Sequence, residues 1–196
     1  MKYKTIAVIG LGRFGTTVAK MLASMKHEVL GVDINPEIVQ KVSPYVTHAI
    51  VADTTDEEAI KALALSQFDM IIVAIGDNLQ ANLMTSMLLK EMNMPYVVSK
   101  AENSLQGKML KKIGVDLVIY PEYDVAQRLV QSLTREHVMD YLQLSKNISL
   151  IEVVMPQFMV GSCLKDSNLR EKYNLNAVGI RRGEELEVPP NPTTIL

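Results

Sequence analysis

Short runs of β-branched and aliphatic residues alternate with segments of helical period over the first 120 residues. The predicted strands lie at 5–9, 28–33, 48–51, 70–75, 96–99 and 117–120. The predicted helices between them lie at 14–25, 36–42, 56–64, 79–92 and 105–113. The run at 70–75 is apolar throughout, as expected of a parallel strand that helices cover on both faces. The pattern therefore predicts an α/β fold with a doubly wound parallel sheet of the Rossmann type.

The pattern changes after Pro121, where a long helix is predicted over 122–141. Strand signals follow at 148–155 and 177–181, with a short helix signal at 164–173, and together they indicate a small α+β domain. We place the boundary so that residues 1–134 form the Rossmann domain with its crossover helix and residues 135–196 form the second domain. The chain stops at Leu196 where another strand is expected to begin, so the second domain is expected to be incomplete.

A glycine motif of the form G-x-G-x-x-G occupies positions 10–15, between the first predicted strand and the first helix. Gly10 permits the tight turn, Gly12 allows the backbone to approach a phosphate, and Gly15 lets the helix pack on the strand. The N–H groups at the start of the helix then face the anion. Asp33 ends the second strand, where a carboxylate binds ribose hydroxyls and disfavours a 2′-phosphate. The motif predicts a nucleotide site.

Acidic residues follow two other predicted strands. Asp53 and Thr54 come directly after the third strand, before a helix that Thr55 or Asp56 is expected to cap. They also lie at the carboxyl edge of the sheet, where ligands bind in open α/β folds. Glu122 opens the helix after the sixth strand. By default it is a first-turn acid, and a role as a cation ligand is the alternative.

Composition and charge exclude several classes of protein. The formal net charge is −2 and the cations are interleaved with acids, so there is no basic stripe for nucleic acid. No apolar run approaches the roughly 20 residues of a membrane-spanning helix, so no direct membrane insertion is expected. The lone cysteine, Cys163, excludes an internal disulfide. These features predict a soluble cytoplasmic protein.

An oxidoreductase that uses NAD(H) is the main alternative, but it needs an acid–base group beside the nicotinamide. Tyr96 and Lys100 have the spacing of a Tyr-x-x-x-Lys dyad, which works on a helix. The intervening Val97 and Val98 indicate a strand, which separates the two by about 13 Å. We therefore expect no enzyme activity. A sensor that binds NADH without ATP dependence is the third possibility.

The stretches 7–15, 32–33, 53–56, 73–76, 114–116 and 120–122 together resemble the RCK (regulator of potassium conductance) family. The similarity is to the KtrA and TrkA type of subunit from bacterial potassium uptake systems, and it extends over essentially all 196 residues. Arg13 inside the glycine loop separates this pattern from generic dinucleotide folds.

The resemblance implies a site for ATP or ADP, with NAD(H) as another ligand. Its residues are Gly10, Gly12, Arg13, Phe14, Gly15, Asp33, Asp53, Thr54 and Lys100. Arg13 is expected to reach the terminal phosphate of an ATP bound in the neighbouring subunit, so that ATP and ADP favour different ring shapes. Lys100 is expected to add charge near the phosphates. Glu122 matches the family's cation-associated glutamate, for a divalent or monovalent ion.

The resemblance also implies an assembly and a partner. Subunits of this type pair through the helix after the Rossmann core and form octameric rings at the inner face of the cell membrane. There they gate a potassium-translocating subunit of the KtrB or TrkH type. The second domain of the family can bind cyclic di-AMP at a dimer interface, and Arg170 and Asn176 fall on that motif, whereas Ala177 replaces a larger aliphatic residue.

Overall fold

The computed structural model describes residues 4–134, 138–145 and 148–196. The chain divides into two compact units, Met1–Asp124 and Val125–Leu196. The division falls inside the helix that follows the sixth strand, whereas the sequence pattern placed the domain boundary after residue 134. The first turn of that helix belongs to the first unit, and its remaining turns belong to the second.

The first unit contains a six-stranded sheet in which all strands are parallel. Its strands are β1 (Thr5–Ile9), β2 (Glu28–Asp33), β3 (His48–Val51), β4 (Met70–Val73), β5 (Val97–Lys100) and β6 (Leu117–Ile119). The strand order is β3-β2-β1-β4-β5-β6. This is the Rossmann order, and its topological switch point lies between β1 and β4, where the carboxyl ends of the strands open a crevice.

Helices cover both faces of this sheet, which confirms the doubly wound fold. They are α1 (Arg13–Ser24), α2 (Pro36–Val42), α3 (Glu57–Ala62), α4 (Leu79–Glu91) and α5 (Ser104–Ile113), and α6 (Pro121–Thr134) follows the sixth strand. Successive side chains of a strand point to opposite faces. Along β1, Ala7 and Ile9 therefore belong to one buried cluster, and Ile6 and Val8 belong to the other. Burial on both faces explains why the strands read as continuous apolar runs.

The second unit contains two small antiparallel pairs and a short helix. β7 (Val138–Ser145) pairs with β8 (Ile148–Val153), and β9 (Ile180–Arg182) pairs with β10 (Glu185–Glu187). Helix α7 (Leu169–Tyr173) lies between the two pairs in the sequence. No helix in the described parts of the chain combines the length and the apolar character needed to cross a bilayer.

The predicted helix over 122–141 is wrong at its carboxyl end. Helix α6 ends at Thr134, and residues 138–141 belong to β7. Residues 135–137 lie outside the described residues. The helical spacing of apolar residues in this stretch is overridden by backbone pairing, because Tyr141 and Leu142 lie opposite Ile151 and Leu150 in the antiparallel ladder. The predicted strand at 177–181 is also shifted, since β9 begins at Ile180.

Candidate functional site

The glycine loop joins β1 to α1 at the switch point of the sheet. Gly10 has a φ of +87°, and a Cβ atom there would lie 2.8 Å from the backbone nitrogen of Ile75. A Cβ atom on Gly15 would lie 1.9 Å from the carbonyl oxygen of Gly10. Packing within the chain therefore requires glycine at both positions, because neither backbone neighbour can move away at low cost.

Gly12 differs from these two glycines. Its φ of −61° and ψ of −170° are accessible to any residue. No heavy atom lies within 4 Å of the position that its Cβ atom would take. Packing does not demand glycine here, whereas a phosphate that approaches the loop backbone does.

The first turn of α1 differs from the first turns of the next four helices. Helices α2, α3, α4 and α5 are each capped by a side chain that accepts a backbone N–H bond, and these caps are Asn35, Asp56, Asn78 and Asn103. Gly12 is the N-cap residue of α1, and no described side chain caps that helix. Its first N–H groups are therefore available to an anion, which the helix dipole also favours.

Asp33 holds the glycine loop from the end of β2. Its Oδ2 atom accepts a hydrogen bond of 2.6 Å from the backbone N–H of Leu11, and its Oδ1 atom accepts one of 2.8 Å from Asn35. The carboxylate thus lies beside the loop, where a ribose was predicted. Each oxygen retains acceptor capacity for a hydroxyl.

A charged pair lies at the carboxyl edge of the sheet on the other side of the loop. The Nζ atom of Lys100 lies 2.7 Å from Oε1 of Glu122, and the two side chains are 9% and 66% exposed. The Lys100 ammonium lowers the pKa of the Glu122 carboxyl below its ordinary value, against the effect of burial, and Arg13 adds a smaller contribution. Gly76 lies next to this pair, since its Cβ atom would be 3.0 Å from Nζ. Arg13, Lys100 and Glu122 therefore share one edge of the sheet.

Two other predicted residues lie in the turn after β3. Asp53 accepts hydrogen bonds from the N–H and the hydroxyl of Thr55, which lower the pKa of its carboxyl. Thr54 is buried, and its hydroxyl lies 2.9 Å from that of Thr85. The single Thr85 proton points to the carbonyl of Thr54, at 3.0 Å, so Thr54 donates in the pair. The Thr54 hydroxyl is thus engaged by α4, and a ligand would have to compete for it.

The remaining predicted residues have separate positions. Phe14 is partly buried against the second core cluster, and its backbone N–H belongs to the first turn of α1. Arg170 lies in α7 and Asn176 lies beyond it, both exposed within the second unit. Among the described residues, no group of three His, Cys, Asp or Glu side chains could enclose a metal ion, so the cation at Glu122 stays a prediction.

Several polar residues behind this edge were not predicted. Asn82, Thr85 and Ser86 on α4 are fully buried, as are Ser99 on β5 and, at 2% exposure, Gln106 on α5. Every buried side-chain nitrogen or oxygen of the described residues has a hydrogen-bond partner. A signal was present in the sequence: three polar residues at i, i+3 and i+4 share one face of a helix that is otherwise apolar on that side.

The dyad of Tyr96 and Lys100 is excluded by the backbone. Residues Val97–Lys100 form β5, and the carbonyl of Tyr96 already accepts the N–H of Ile71 on β4. The two side chains therefore lie at opposite ends of an extended strand rather than on one helix face.

Comparison with known proteins gives matches over the whole chain. The TrkA-N domain family matches residues 6–121, and the TrkA-C domain family matches residues 148–196. The Ktr system potassium uptake protein C of Bacillus subtilis (strain 168) is 41% identical over 193 residues, which is 98% of this chain and 87% of that protein. The Ktr system potassium uptake protein A of the same organism is 40% identical over 196 residues, which is 100% of this chain and 88% of that protein.

A solved structure has the same fold. The GsuK channel bound to NAD aligns with a TM-score of 0.71 at 17% sequence identity, over 100% of this chain and 36% of that one. At this level of identity the likeness concerns the fold alone.

Proposed function

This chain belongs to the family defined by the TrkA-N and TrkA-C domains, and we propose that it is a regulatory subunit of a potassium uptake system which binds adenine nucleotides at the β1–α1 loop. The curated relatives, at 41% and 40% identity, are potassium uptake proteins. The chain is therefore not an enzyme, and a bound nucleotide changes its regulatory state instead of being turned over.

The space in front of Gly12 is the observation that carries this proposal. Gly10 and Gly15 are explained by contacts within the chain, but Gly12 has no neighbour that excludes a side chain. A phosphate at this point accepts hydrogen bonds from the free N–H groups of α1, while Asp33 is positioned to bind the ribose. Across the edge of the sheet, Asp33, Gly12 and Lys100 follow one another in the order in which a nucleotide presents its ribose, its first phosphate and its terminal phosphate.

Regulation requires two states of the assembly that bind the ligand with different affinity. A shift from mostly one state to mostly the other needs roughly 5.5 kcal/mol of differential binding. A single guanidinium such as Arg13 on a terminal phosphate supplies about 1.5–3 kcal/mol. Several equivalent sites in a ring together supply a differential binding free energy that one site cannot, and the resemblance implies that this ring is an octamer.

The partner is a potassium-translocating membrane subunit of the KtrB or TrkH type, and the chain acts at the cytoplasmic face of the membrane. Dimer formation through α6 is supported by its apolar surface, since Tyr123, Val125, Val130 and Leu133 are each more than half exposed in the single chain. A cation at Glu122 and cyclic di-AMP at Arg170 and Asn176 complete the ligand set of the proposal.

The test is a ligand panel on the purified chain, with ATP, ADP, NAD, NADH and cyclic di-AMP each titrated in a thermal unfolding experiment. A ligand at 100 times its dissociation constant adds about 2.7 kcal/mol to the free energy of unfolding. We expect ATP and ADP to raise the melting temperature without any turnover of NADH. Shifts confined to NAD and NADH would instead favour an NADH sensor, and a panel without any shift would refute the nucleotide site.

A further inference from the structure

Asn82, the fourth residue of α4, is fully buried beneath the edge that carries Lys100. Its Nδ2 group donates two hydrogen bonds, one of 2.9 Å to the carbonyl of Ile75 and one of 3.1 Å to the carbonyl of Lys100. Its Oδ1 atom accepts a bond of 3.3 Å from the hydroxyl of Ser99. One side chain therefore contacts the continuation of β4 and the end of β5 at the same time.

These bonds begin where the sheet ends. The last paired residues of β4 and β5 are Val73 and Ser99. Beyond these residues no backbone hydrogen bond of the described chain joins the continuations of the two strands, and the side-chain amide of Asn82 joins Ile75 to Lys100 instead. Gln106 on α5 supports the same point, with Nε2 donating to the carbonyl of Lys100 at 3.4 Å.

Both carbonyls belong to residues that shape the candidate phosphate site. The backbone nitrogen of Ile75 lies directly against the glycine turn, 2.8 Å from where a Cβ atom of Gly10 would be. Lys100 carries the buried ammonium of the edge. A shift of the Ile75 carbonyl moves the backbone that packs against the glycine turn, and a shift of the Lys100 carbonyl moves the backbone that carries the ammonium.

We propose that Asn82 is the positioning residue for the phosphate end of this site: its amide fixes Ile75 beneath the glycine loop and Lys100 beside it. The inference rests on the proposed nucleotide function and adds to it which residue sets the geometry. Asn82 touches no ligand itself, because it is fully buried behind the two strand ends. Its effect is therefore on phosphate recognition and not on the ribose, which Asp33 holds from the far side of the loop.

Ser86 offers a matched control. It lies one turn further along the same face of α4, is equally buried, and its hydroxyl lies 3.2 Å from that of Ser99. It contacts neither strand-end carbonyl in the hydrogen bonds of the described residues. Removing its hydroxyl disturbs the same helix–sheet interface without releasing Ile75 or Lys100.

The experiment measures dissociation constants of adenosine and ADP by calorimetry for the wild-type chain, Asn82→Ala and Ser86→Ala, at a temperature where all three are folded. Loss of a positioning hydrogen bond is expected to weaken ADP binding about ten-fold in Asn82→Ala. Adenosine is expected to bind all three proteins alike, and Ser86→Ala is expected to bind ADP like the wild type. If Asn82→Ala does not fold, Asn82→Ser retains one donor in place of two and takes its place in the same comparison.

The outcomes separate this inference from the function on which it rests. If the wild type binds ADP and Asn82→Ala weakens adenosine and ADP by the same factor, or neither, Asn82 has only a structural role and the inference is wrong. An equal loss in Ser86→Ala has the same meaning. If the wild type binds neither ligand, the proposed nucleotide function fails first, and the inference falls with it.

Discussion

The Nζ atom of Lys100 and the Oε1 atom of Glu122 are 2.7 Å apart, so an ion pair joins the end of β5 to the first turn of α6. Helix α6 then continues from the first unit into the second. The two residues were predicted to serve ligands of opposite charge, a phosphate and a cation. Because the Glu122 carboxylate partly neutralises the Lys100 ammonium and would repel a phosphate beside it, a phosphate that binds Lys100 competes with Glu122.

Opposite effects are therefore expected from the two members of this pair. Glu122→Gln removes the competing carboxylate, and we expect ADP to bind about two to five times more tightly in the presence of a chelator, as befits a partly exposed ion pair. Lys100→Met removes the cation, and ADP is expected to bind about ten-fold more weakly. Calorimetric titration measures both. The control is Glu58→Gln, which breaks a surface pair with Lys61 on α3; weaker binding in Glu122→Gln would contradict the competition.

The glycines of the loop are expected to separate stability from binding. Gly12→Ala introduces a methyl group where nothing lies within 4 Å. We expect its free energy of unfolding to stay within about 0.5 kcal/mol of wild type while nucleotide affinity falls. Gly15→Ala forces a contact with the Gly10 carbonyl and is expected to destabilise the protein by about 1–3 kcal/mol. Chemical denaturation and nucleotide titration measure the two effects, and unchanged affinity in Gly12→Ala would remove the main support for the site.

Arg13 is expected to distinguish ATP from ADP. It is exposed at the first position of α1 and lies near enough to Glu122 to affect the pKa of that carboxyl. Arg13→Ala is expected to lose about ten-fold or more in ATP affinity and little in ADP affinity, because only the terminal phosphate loses its partner. Lys41→Ala, an exposed cation in the last turn of α2, serves as the control. An unchanged ratio of the two dissociation constants would show that Arg13 has no such role.

Acid is expected to weaken the contacts of the Asp116 carboxylate, which link Lys90 on α4 to the backbone of Val97 at the start of β5. Burial raises the pKa of the Asp116 carboxyl, but the Lys90 ammonium and the Val97 amide outweigh it and hold that pKa below its ordinary value of 3.8. The resulting stabilisation is present above pH 3.8 and is lost as the pH falls through the lower folded pKa.

Asp116→Asn is thus expected to show a shallower fall in the free energy of unfolding at acid pH than the wild type. Denaturant unfolding curves at a series of pH values measure it. Glu91→Gln, a change at an exposed carboxylate on α4, is the control. Identical pH profiles for Asp116→Asn and the wild type would contradict the linkage.

The apolar surface of α6 is expected to hold a dimer. Val130 and Leu133 are 55% and 75% exposed in the single chain. Val130→Glu and Leu133→Glu place a charge on this surface and are expected to shift the protein toward monomers without loss of fold. Light scattering measures the molar mass, and Arg128→Gln, at an exposed position on another face of the same helix, changes the net charge by the same amount. A mass that does not change in either variant would exclude this surface as the interface.

The sheet could be predicted from the sequence almost to the residue. Strands β1, β2 and β3 have the predicted bounds, because each β-branched run is flanked by a glycine, an acid or a turn residue that ends it. The end of α6 could not be predicted, since residues 138–141 have helical spacing and only the pairing of β7 with β8 makes them a strand.

The individual residues of the site could be predicted from the sequence, but the interactions between them could not. Gly10, Gly12, Gly15 and Asp33 follow from spacing, because a motif and a strand end fix them locally. The ion pair of Lys100 with Glu122 follows from the adjacency of β5 and β6, which no local pattern reveals. Asn82 belongs to the same class. Its importance depends on two carbonyls that lie 7 and 18 residues away along the chain.

The glycine loop is held in place by its own chain. The N–H of Gly10 donates to the carbonyl of Val32, and the N–H of Leu11 donates to Asp33. A loop ordered in this way adds little of its own to the entropic cost of binding. Nucleotides that share an adenosine should therefore associate with similar rate constants, and the number of phosphates should decide how long each one stays bound.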